Sequence, residues 1–562
     1  MTKTFKLLIG ALSVCASSFA QTAAVPKSWH MLDKEASGFY GISADKAYDF
    51  IKSKNLKSKT VVVAVIDSGI DTLHEDLKAI LWTNPGEIPG NGIDDDKNGY
   101  IDDVHGWNFI GGKDGRNVKE DSYEAARVYH ALKGKWGGKE VDLSKLTAAE
   151  KTEYNIFKKA ELKIIGDGDA GGADIDMLKR IKIGLFKSDS VLKIALEKEV
   201  FTGKELESFA ARNDDERKAK TGLLGLMKGN DALDQTNKEF LDGLVEYIAG
   251  EERKADAKNT PPIAYRKDIV KDDETNLNDR FYGNNDIMSA TPMHGTHCSG
   301  IIGAIRGNGK GMDGIADNVR IMMVRAVPDG DEHDKDIANA IRYAVDNGAQ
   351  IISMSFGKDF SPQKQWVDDA FRYAESKNVL LVHAAGNDSK NVDTADNFPN
   401  PIFVDGKGRA GNVITVGASS GNDPKKGGLT ASFSNYGKQE VDVFSPGQQI
   451  YSTLPGGNTY GNLSGTSMAC PLVAGIAALT LEYFPTLSAK QLKQVIEKSA
   501  QSPGVKVRKP GSDEMVDLNE ISKTGGIVNV YEAVKLASTM KGELKPGKEV
   551  LPKPKMVKSK KG

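Results

Sequence analysis

Residues 60–69 read Thr60-Val61-Val62-Val63-Ala64-Val65-Ile66-Asp67-Ser68-Gly69. The apolar run from Val61 to Ile66 is rich in β-branched residues and does not alternate with polar ones, so it suits a strand covered on both faces. Such strands belong to parallel sheets layered between helices, and there ligands lie beyond the carboxyl ends of the strands. Asp67 stands at that end. A buried carboxylate is costly unless paired, so Asp67 needs a partner. Asp-Ser-Gly after a strand is also how aspartic proteases present an acid, but that chemistry needs two such carboxylates. The sequence holds no second Asp-[Ser/Thr]-Gly.

Further along, apolar strands and amphipathic segments alternate. Strands are expected at Arg320 to Ala326, Gln350 to Phe356 and Val379 to Ala385, with helices at Asp336 to Asn347 and Pro362 to Asn378. This alternation predicts an α/β fold: a doubly wound parallel sheet with helices on both faces. The last of those strands runs into Gly386-Asn387, which places a carboxamide at another carboxyl end. A surface turn asparagine would look the same. Met293-His294-Gly295-Thr296-His297-Cys298 carries two histidines three apart, without the glutamate of a His-Glu-x-x-His zinc motif. In Leu463-Ser464-Gly465-Thr466-Ser467-Met468-Ala469-Cys470-Pro471, one hydroxyl stands at the mouth of a nearly all-apolar segment, Cys470 to Leu481. Ser467 reads either as a helix cap or as a nucleophile placed where a helix N-terminus favours negative charge.

A net charge of -2 with 27% charged residues gives no electrostatic reason to expect nucleic acid or an anionic membrane as partner. The first twenty residues read as a signal peptide: Lys3 and Lys6, an apolar stretch from Leu7 to Ala16, then Ser18-Phe19-Ala20. No later run approaches about 20 apolar residues, so no transmembrane segment is expected. The chain is expected to be exported, periplasmic or extracellular, with lipid anchoring through Cys15 in Leu-Ser-Val-Cys as the alternative. Beyond the signal only Cys298 and Cys470 remain, too few for a disulfide framework.

Two further stretches stand out. Asp94-Asp95-Asp96-Lys97-Asn98-Gly99-Tyr100-Ile101-Asp102-Asp103 offers oxygens at alternate positions with glycine at the sixth, as in the first half of an EF-hand loop. The expected ligands of a structural calcium ion are Asp94, Asp96, Asn98, the Tyr100 carbonyl and Asp102. His105 stands where such a loop ends in glutamate, and a solvated acidic turn is the alternative. From about Lys113 to Asn259 the chain lacks proline and is rich in Lys, Glu, Ala and Leu. Apolar spacing predicts helices at Thr147 to Ile165, Ile175 to Phe186, Ser190 to Val200 and Lys238 to Ala257, a mostly α-helical insertion.

Asp67, His294, Asn387 and Ser467 come in the order Asp…His…Ser that one serine protease family uses, with an Asn between. The blocks VVVAVIDSGID, HGTHCSG, MSFG, HAAGN, SPG and LSGTSMACPLVAG resemble those of the subtilases, over roughly Trp29 to Gly111 and Pro261 to Ser538. After the signal peptide at 1–20, the resemblance implies a catalytic domain in two parts, 21–112 and 261–540. The helical insertion at 113–260 lies between them, and a basic, disordered tail at 541–562 follows. It implies Ser467 as nucleophile, His294 as its base, Asp67 as the residue that orients the imidazole, and Asn387 with the Ser467 N–H as oxyanion donors. Ser355, Phe356 and Gly357, with Ala384, Ala385 and Gly386, would hold an extended peptide. The implied function is a secreted or periplasmic serine endopeptidase that hydrolyses peptide bonds through an acyl-enzyme, with protein or peptide substrates, as a monomer. A decayed scaffold that only binds peptides is the rival reading, and a narrow processing protease or peptide ligase a third.

Three departures from the family pattern carry expectations of their own. Only about forty residues separate the signal from the first strand, which leaves little for a folded inhibitory propeptide. The insertion is expected to pack beside the cleft and restrict access. Cys298 and Cys470 flank the expected base and nucleophile, close enough for mercurial inhibition or for a bond. The acidic loop Asp329 to Asp336, which borders the S2 and S4 subsites in subtilases, suggests a preference for basic substrate residues, with a solvated loop as the alternative.

Overall fold

The computed structural model describes residues 25–545, apart from 167–174, 231, 234 and 290. The expected signal peptide, Cys15 and the tail beyond residue 545 lie outside the described residues. The chain divides into two compact units, Ser122–Ile263 and Val25–Asp121 together with the chain from Ala264 onward.

The second unit is built on seven parallel strands: β1 (Val61–Asp67), β2 (Gly106–Asn108), β3 (Val319–Arg325), β4 (Ile351–Met354), β5 (Leu380–Ala384), β6 (Val413–Ser419) and β7 (Val443–Pro446). Their order is β2-β3-β1-β4-β5-β6-β7. β1 pairs with β3 from Val61↔Val319 to Asp67↔Arg325, and with β4 from Val63↔Ile351 to Ile66↔Met354. Its alternate residues enter opposite cores. Val61, Val63 and Val65 pack with Cys298, Ile301, Met468 and Leu472. Ala64 and Ile66 pack with Ile337, Ile341 and Phe371 of the helices Asp334–Asp346 and Lys364–Ser376. Both faces are therefore dry, which is why the run Val61 to Ile66 shows no alternation. The strand order reverses beside β1, between it and β4, and a crevice at the carboxyl ends follows from that reversal.

Two helices hold the first of these cores, Met293–Gly303 and Thr466–Tyr483. Thr466–Tyr483 is long and apolar enough to cross a membrane, yet 94% of it is buried inside the protein. Its uniform apolarity reflects a helix surrounded by sheet and neighbouring helices. The segment before β1 belongs to the same core. Trp29 is fully buried and its indole N–H donates to the Gln448 carbonyl at 3.1 Å, while Ile42 accepts the Val530 N–H at 2.9 Å.

The unit Ser122–Ile263 is helical, with Glu124–Trp136, Ala148–Ile165, Ile175–Leu196, Asp214–Gly229 and Asn237–Asp256 as its longer helices. Its own core gathers Leu178, Leu185, Leu192, Leu223, Phe240 and Leu244. Thr147 and Glu150 form a reciprocal capping box at the start of Ala148–Ile165. Ile175–Leu196 is one helix where the sequence reads two. Ser188-Asp189-Ser190 does not break it, because both hydroxyls return to carbonyls four residues back, at 2.9 Å each. Asp189 is buried and accepts from Asn237 Nδ2 at 2.6 Å.

Candidate active site

The carboxyl ends of β1, β4 and β5 bring together the four residues singled out above. His294 lies in the first turn of the helix Met293–Gly303, and its Nδ1 lies 2.8 Å from Asp67 Oδ1. Asp67 is 2% exposed, and the same oxygen accepts the Ser68 N–H at 2.7 Å. Gly295 permits this approach. A Cβ there would stand 2.2 Å from the Gly69 carbonyl oxygen and 3.1 Å from Asp67 Cβ, so any larger residue would push the helix off the strand end.

Ser467 lies in the first turn of Thr466–Tyr483 and is 6% exposed. Its hydroxyl donates to the Ser355 carbonyl at 3.2 Å, and the Ser355 hydroxyl donates back to the Ser467 carbonyl at 2.9 Å. The second bond has a cause in the sequence. Pro471, four residues on, has no N–H to give the Ser467 carbonyl, which instead accepts from Ser355 Oγ and, at 3.4 Å, from the Cys298 thiol. The missing helical bond thus ties the Ser467 turn to the chain leaving β4 and to the His294 helix.

Asn387 follows β5. Its Oδ1 accepts both the N–H and the hydroxyl of Thr466, each at 2.9 Å. A Cβ at Gly465 would lie 3.6 Å from Asn387 Nδ2 and 3.5 Å from the Ser467 nitrogen, so these two donors border one small space at a helix N-terminus. Both are suited to a developing oxyanion. The loop is held by Asn435, which donates to the Ala385 carbonyl at 2.8 Å and accepts from the Asp388 and Lys390 N–H groups at 3.0 and 2.8 Å. Sequence reasoning missed Thr466 and Asn435. Their signal is slight, a second hydroxyl beside Ser467 and an Asn-Tyr-Gly turn.

Along the expected peptide edges, Ser355, Phe356, Ala384 and Ala385 are buried, Gly357 is exposed and Gly386 half-buried. The Phe356 carbonyl is already taken by His383 Nε2 at 2.9 Å. Burial pulls His383 down to about 4, so the ring is neutral and donates that bond from Nε2. His297 is a packing residue, fully buried with Nε2 3.2 Å from the Gly461 carbonyl.

Cys298 and Cys470 are both free and buried, so the bond between them is not formed. Cys298 Sγ is 3.9 Å from His294 Nδ1, whereas Cys470 Sγ faces the Val382 carbonyl at 3.2 Å. Burial raises both thiols, Cys470 to about 11.

From Glu332 onward the acidic loop is buried rather than solvated. Residues 332–336 are buried, and Asp329, Gly330 and Asp331 keep partial exposure. Lys358 pairs with Asp334 at 2.9 Å, Lys335 with Asp272 at 2.5 Å, and Arg266 with both Asp272 and Asp336. His333 sits between Asp121 Oδ2 at 3.0 Å and Glu274 Oε1 at 2.6 Å. These charges hold the loop to its neighbours, so they give no basis for a basic substrate preference.

Two of the donors expected for calcium, Asp102 and Asn98, are engaged within the loop itself. Asp102 adopts a left-handed φ of 53° and spends its carboxylate on the N–H groups of Gly90, Asn91 and Gly92, at 2.9, 3.2 and 2.7 Å. Asn98 Oδ1 accepts the Tyr100 N–H at 2.8 Å, and its NH₂ donates to Asp96 and Asp103. Tyr100 is held by its ring, packed edge-on against Trp107, Phe109, Phe281 and Tyr343. Glu87, absent from the expected set, instead joins Asp94 and Asp96 in a cluster with one carboxylate oxygen from each within 4.8 Å of the others.

Residues 58–520 match the subtilase family, and the chain belongs to it, a family of serine endopeptidases. Thermitase of Thermoactinomyces vulgaris is 37% identical over 247 residues, which cover 43% of this chain and 74% of thermitase. A thermophilic serine proteinase of Bacillus sp. strain AK1 is 40% identical over 208 residues, 37% of this chain and 46% of that protein. Among solved structures, a protease from Pseudoalteromonas arctica PAMC 21717 superposes over 92% of this chain and 100% of its own, with 19% identity and a TM-score of 0.44.

Proposed function

We propose that this chain is an exported endopeptidase that cleaves peptide bonds with Ser467 as nucleophile and His294 as base. The observation that carries the reading is the 2.8 Å pairing of His294 Nδ1 with the buried Asp67, on a helix packed against the Ser467 turn. That pairing fixes the proton on Nδ1 and leaves Nε2 to accept the hydroxyl proton. Ser467 Oγ then attacks the scissile carbonyl as its proton passes to Nε2. The negative oxygen forms in the space beside Gly465, facing Asn387 Nδ2 and the Ser467 N–H. His294 returns the proton to the leaving amine and the acyl-enzyme remains. Water then attacks the acyl carbon as its proton passes to Nε2, and His294 returns that proton to Ser467 Oγ as the ester bond breaks and the carboxylic acid leaves.

The substrate is an extended peptide of a protein or a shorter chain. It lies between the edges after β4, Ser355 to Gly357, and at the end of β5, Ala384 to Gly386, where exposed Gly357 leaves backbone free for strand addition. Export rests on the signal-like residues 1–20.

Labelling by a fluorophosphonate tests the proposal. The wild-type chain is expected to label and Ser467→Ala not to. Asn387→Ala is expected to label slowly, with turnover on a peptide substrate lower by about 10²–10³. A folded wild-type chain that never labels in calcium would be a peptide-binding module.

A further inference from the structure

The helix Ile175–Leu196 is apolar on two sides. Leu178, Leu185 and Leu192 enter the core of the helical unit. Ile183, Phe186 and Ile194 do not, and they are 70%, 42% and 81% exposed. At about 100° per residue these three, with Ser190 between them, fall within an arc of about 80° on the side away from the leucines. They form one ridge along the helix. Single exposed apolar side chains are ordinary, but a helix that is apolar on both sides is one that is covered on both.

The charges beside the ridge say what covers it. The ten residues from Lys179 to Ser188 hold four cations, Lys179, Arg180, Lys182 and Lys187, and no acid. Lys179 is paired with Glu252 at 3.2 Å. Among the described residues, Arg180, Lys182 and Lys187 lie in no ion pair, and Arg180 and Lys187 are exposed. By the same spacing Lys182 borders the ridge on the Phe186 side, and Arg180 and Lys187 border it on the Ile194 side. Toward the end of the helix, Lys193 answers Asp189 and Glu199 at 3.0 and 3.7 Å, so the acids there are already matched. The chain's net charge of -2 averages this local excess away.

We propose that this face of Ile175–Leu196 binds the surface of an anionic phospholipid membrane. Ile183, Phe186 and Ile194 enter the boundary between headgroups and acyl chains, and Arg180, Lys182 and Lys187 meet lipid phosphates. An apolar row with cations along both borders is what an interfacial helix presents. The long stems of lysine and arginine lie along the apolar row while their heads reach outward to the phosphates. The dimensions favour lipid over a protein partner. From Ile183 to Ile194 the ridge runs about 16 Å. A stable protein–protein contact takes about 20–30 residues a side, whereas a few apolar side chains sink into lipid without a shaped groove. This binding is peripheral and independent of the proposed peptidase activity.

The test uses the full chain with Ser467→Ala, which prevents self-digestion. It is sedimented with vesicles of phosphatidylglycerol mixed with phosphatidylcholine, and with vesicles of phosphatidylcholine alone. The parent is expected to pellet with the first and not the second, and salt is expected to release it. Adding Ile183→Ser with Phe186→Ser is expected to lower the partition coefficient about tenfold or more. Arg180→Gln with Lys187→Gln is expected to lower it about tenfold. Lys52→Gln with Lys57→Gln makes the same change in net charge on the other unit and is expected to keep the parent's binding. A parent that stays in solution with both vesicles would overturn the proposal. So would parent-level binding in both the serine and the glutamine pairs. A parent that ignores lipid but forms a dimer by light scattering, lost in the serine pair, would make the occupant a second copy and overturn it too. If the serine pair fails to fold, the glutamine pair, which leaves the apolar row intact, decides by the same readout.

Discussion

Asn387 Oδ1 accepts two bonds from Thr466, from the backbone N–H and from the hydroxyl, each 2.9 Å long. Two donors on one oxygen settle which end of the carboxamide is which and turn Nδ2 toward the space beside Gly465. The Thr466 hydroxyl also accepts the Gly386 N–H at 3.1 Å, so it braces the loop that carries Asn387. Thr466 is a positioning residue: it aims a donor that it does not itself provide.

Replacing Thr466 by valine keeps the shape and deletes the hydroxyl. A net hydrogen bond is worth roughly 0.5–1.5 kcal/mol, so kcat is expected to fall about tenfold with KM nearly unchanged. Thr466→Ser is expected to restore most of the rate. Steady-state kinetics on a chromogenic peptide checks this, and a rise in KM at constant kcat would place Thr466 in substrate binding instead.

The architecture was legible where burial is symmetrical. β1, β3, β4 and β5 read as apolar runs because both of their faces are dry, and the site residues follow at strand ends and helix starts. β2 has three residues, Gly106–Asn108, too few for any period to show. The donors expected for calcium are harder to read for a different reason. Spacing marks which oxygens could converge but not which are already spent on backbone N–H groups, as those of Asp102 are. Glu87 was invisible because it reaches the cluster across the Pro89-Gly90 turn. The 329–336 loop misled in the same way, since its charges meet partners as distant as Asp121 and Asp272.

Acid is expected to unfold this protein through two buried histidines. Burial pulls His30 and His383 each from 6.5 down to about 4. The unfolded chain takes up both protons as pH falls past about 6.5, while the folded chain holds them off until about 4. Stability is therefore complete above 6.5 and lost progressively between 6.5 and 4. Each histidine contributes up to about 3 kcal/mol, from 2.5 pH units at 1.36 kcal/mol apiece. His30 gives the cleaner test, because both its ring nitrogens are buried without partners. Urea unfolding of Ser467→Ala chains at pH 7.5, 5.5 and 4.5 is expected to show a shallower acid loss once His30→Leu is added. An unchanged slope would mean that His30 titrates normally in the folded protein.

Cys298 makes the site sensitive to thiol-directed metals. Its sulfur lies 3.9 Å from His294 Nδ1 and 3.4 Å from the Ser467 carbonyl, in a fully buried position. Burial keeps the group a thiol, the less nucleophilic form, so iodoacetamide is expected to react little. An aryl mercurial forms a sulfur–mercury bond as the thiol proton and chloride leave. The added bulk would then displace the His294 imidazole from Asp67. Slow loss of activity by about tenfold or more is expected in the wild type, on the scale of 1.4 kcal/mol of transition-state stabilisation or above. Cys298→Ala is expected to resist, whereas Cys470→Ala stays sensitive, because Cys298 lies against His294 while Cys470 faces Ser353 and the Val382 carbonyl. Equal inactivation of the Cys298→Ala chain would place the reactive sulfur elsewhere.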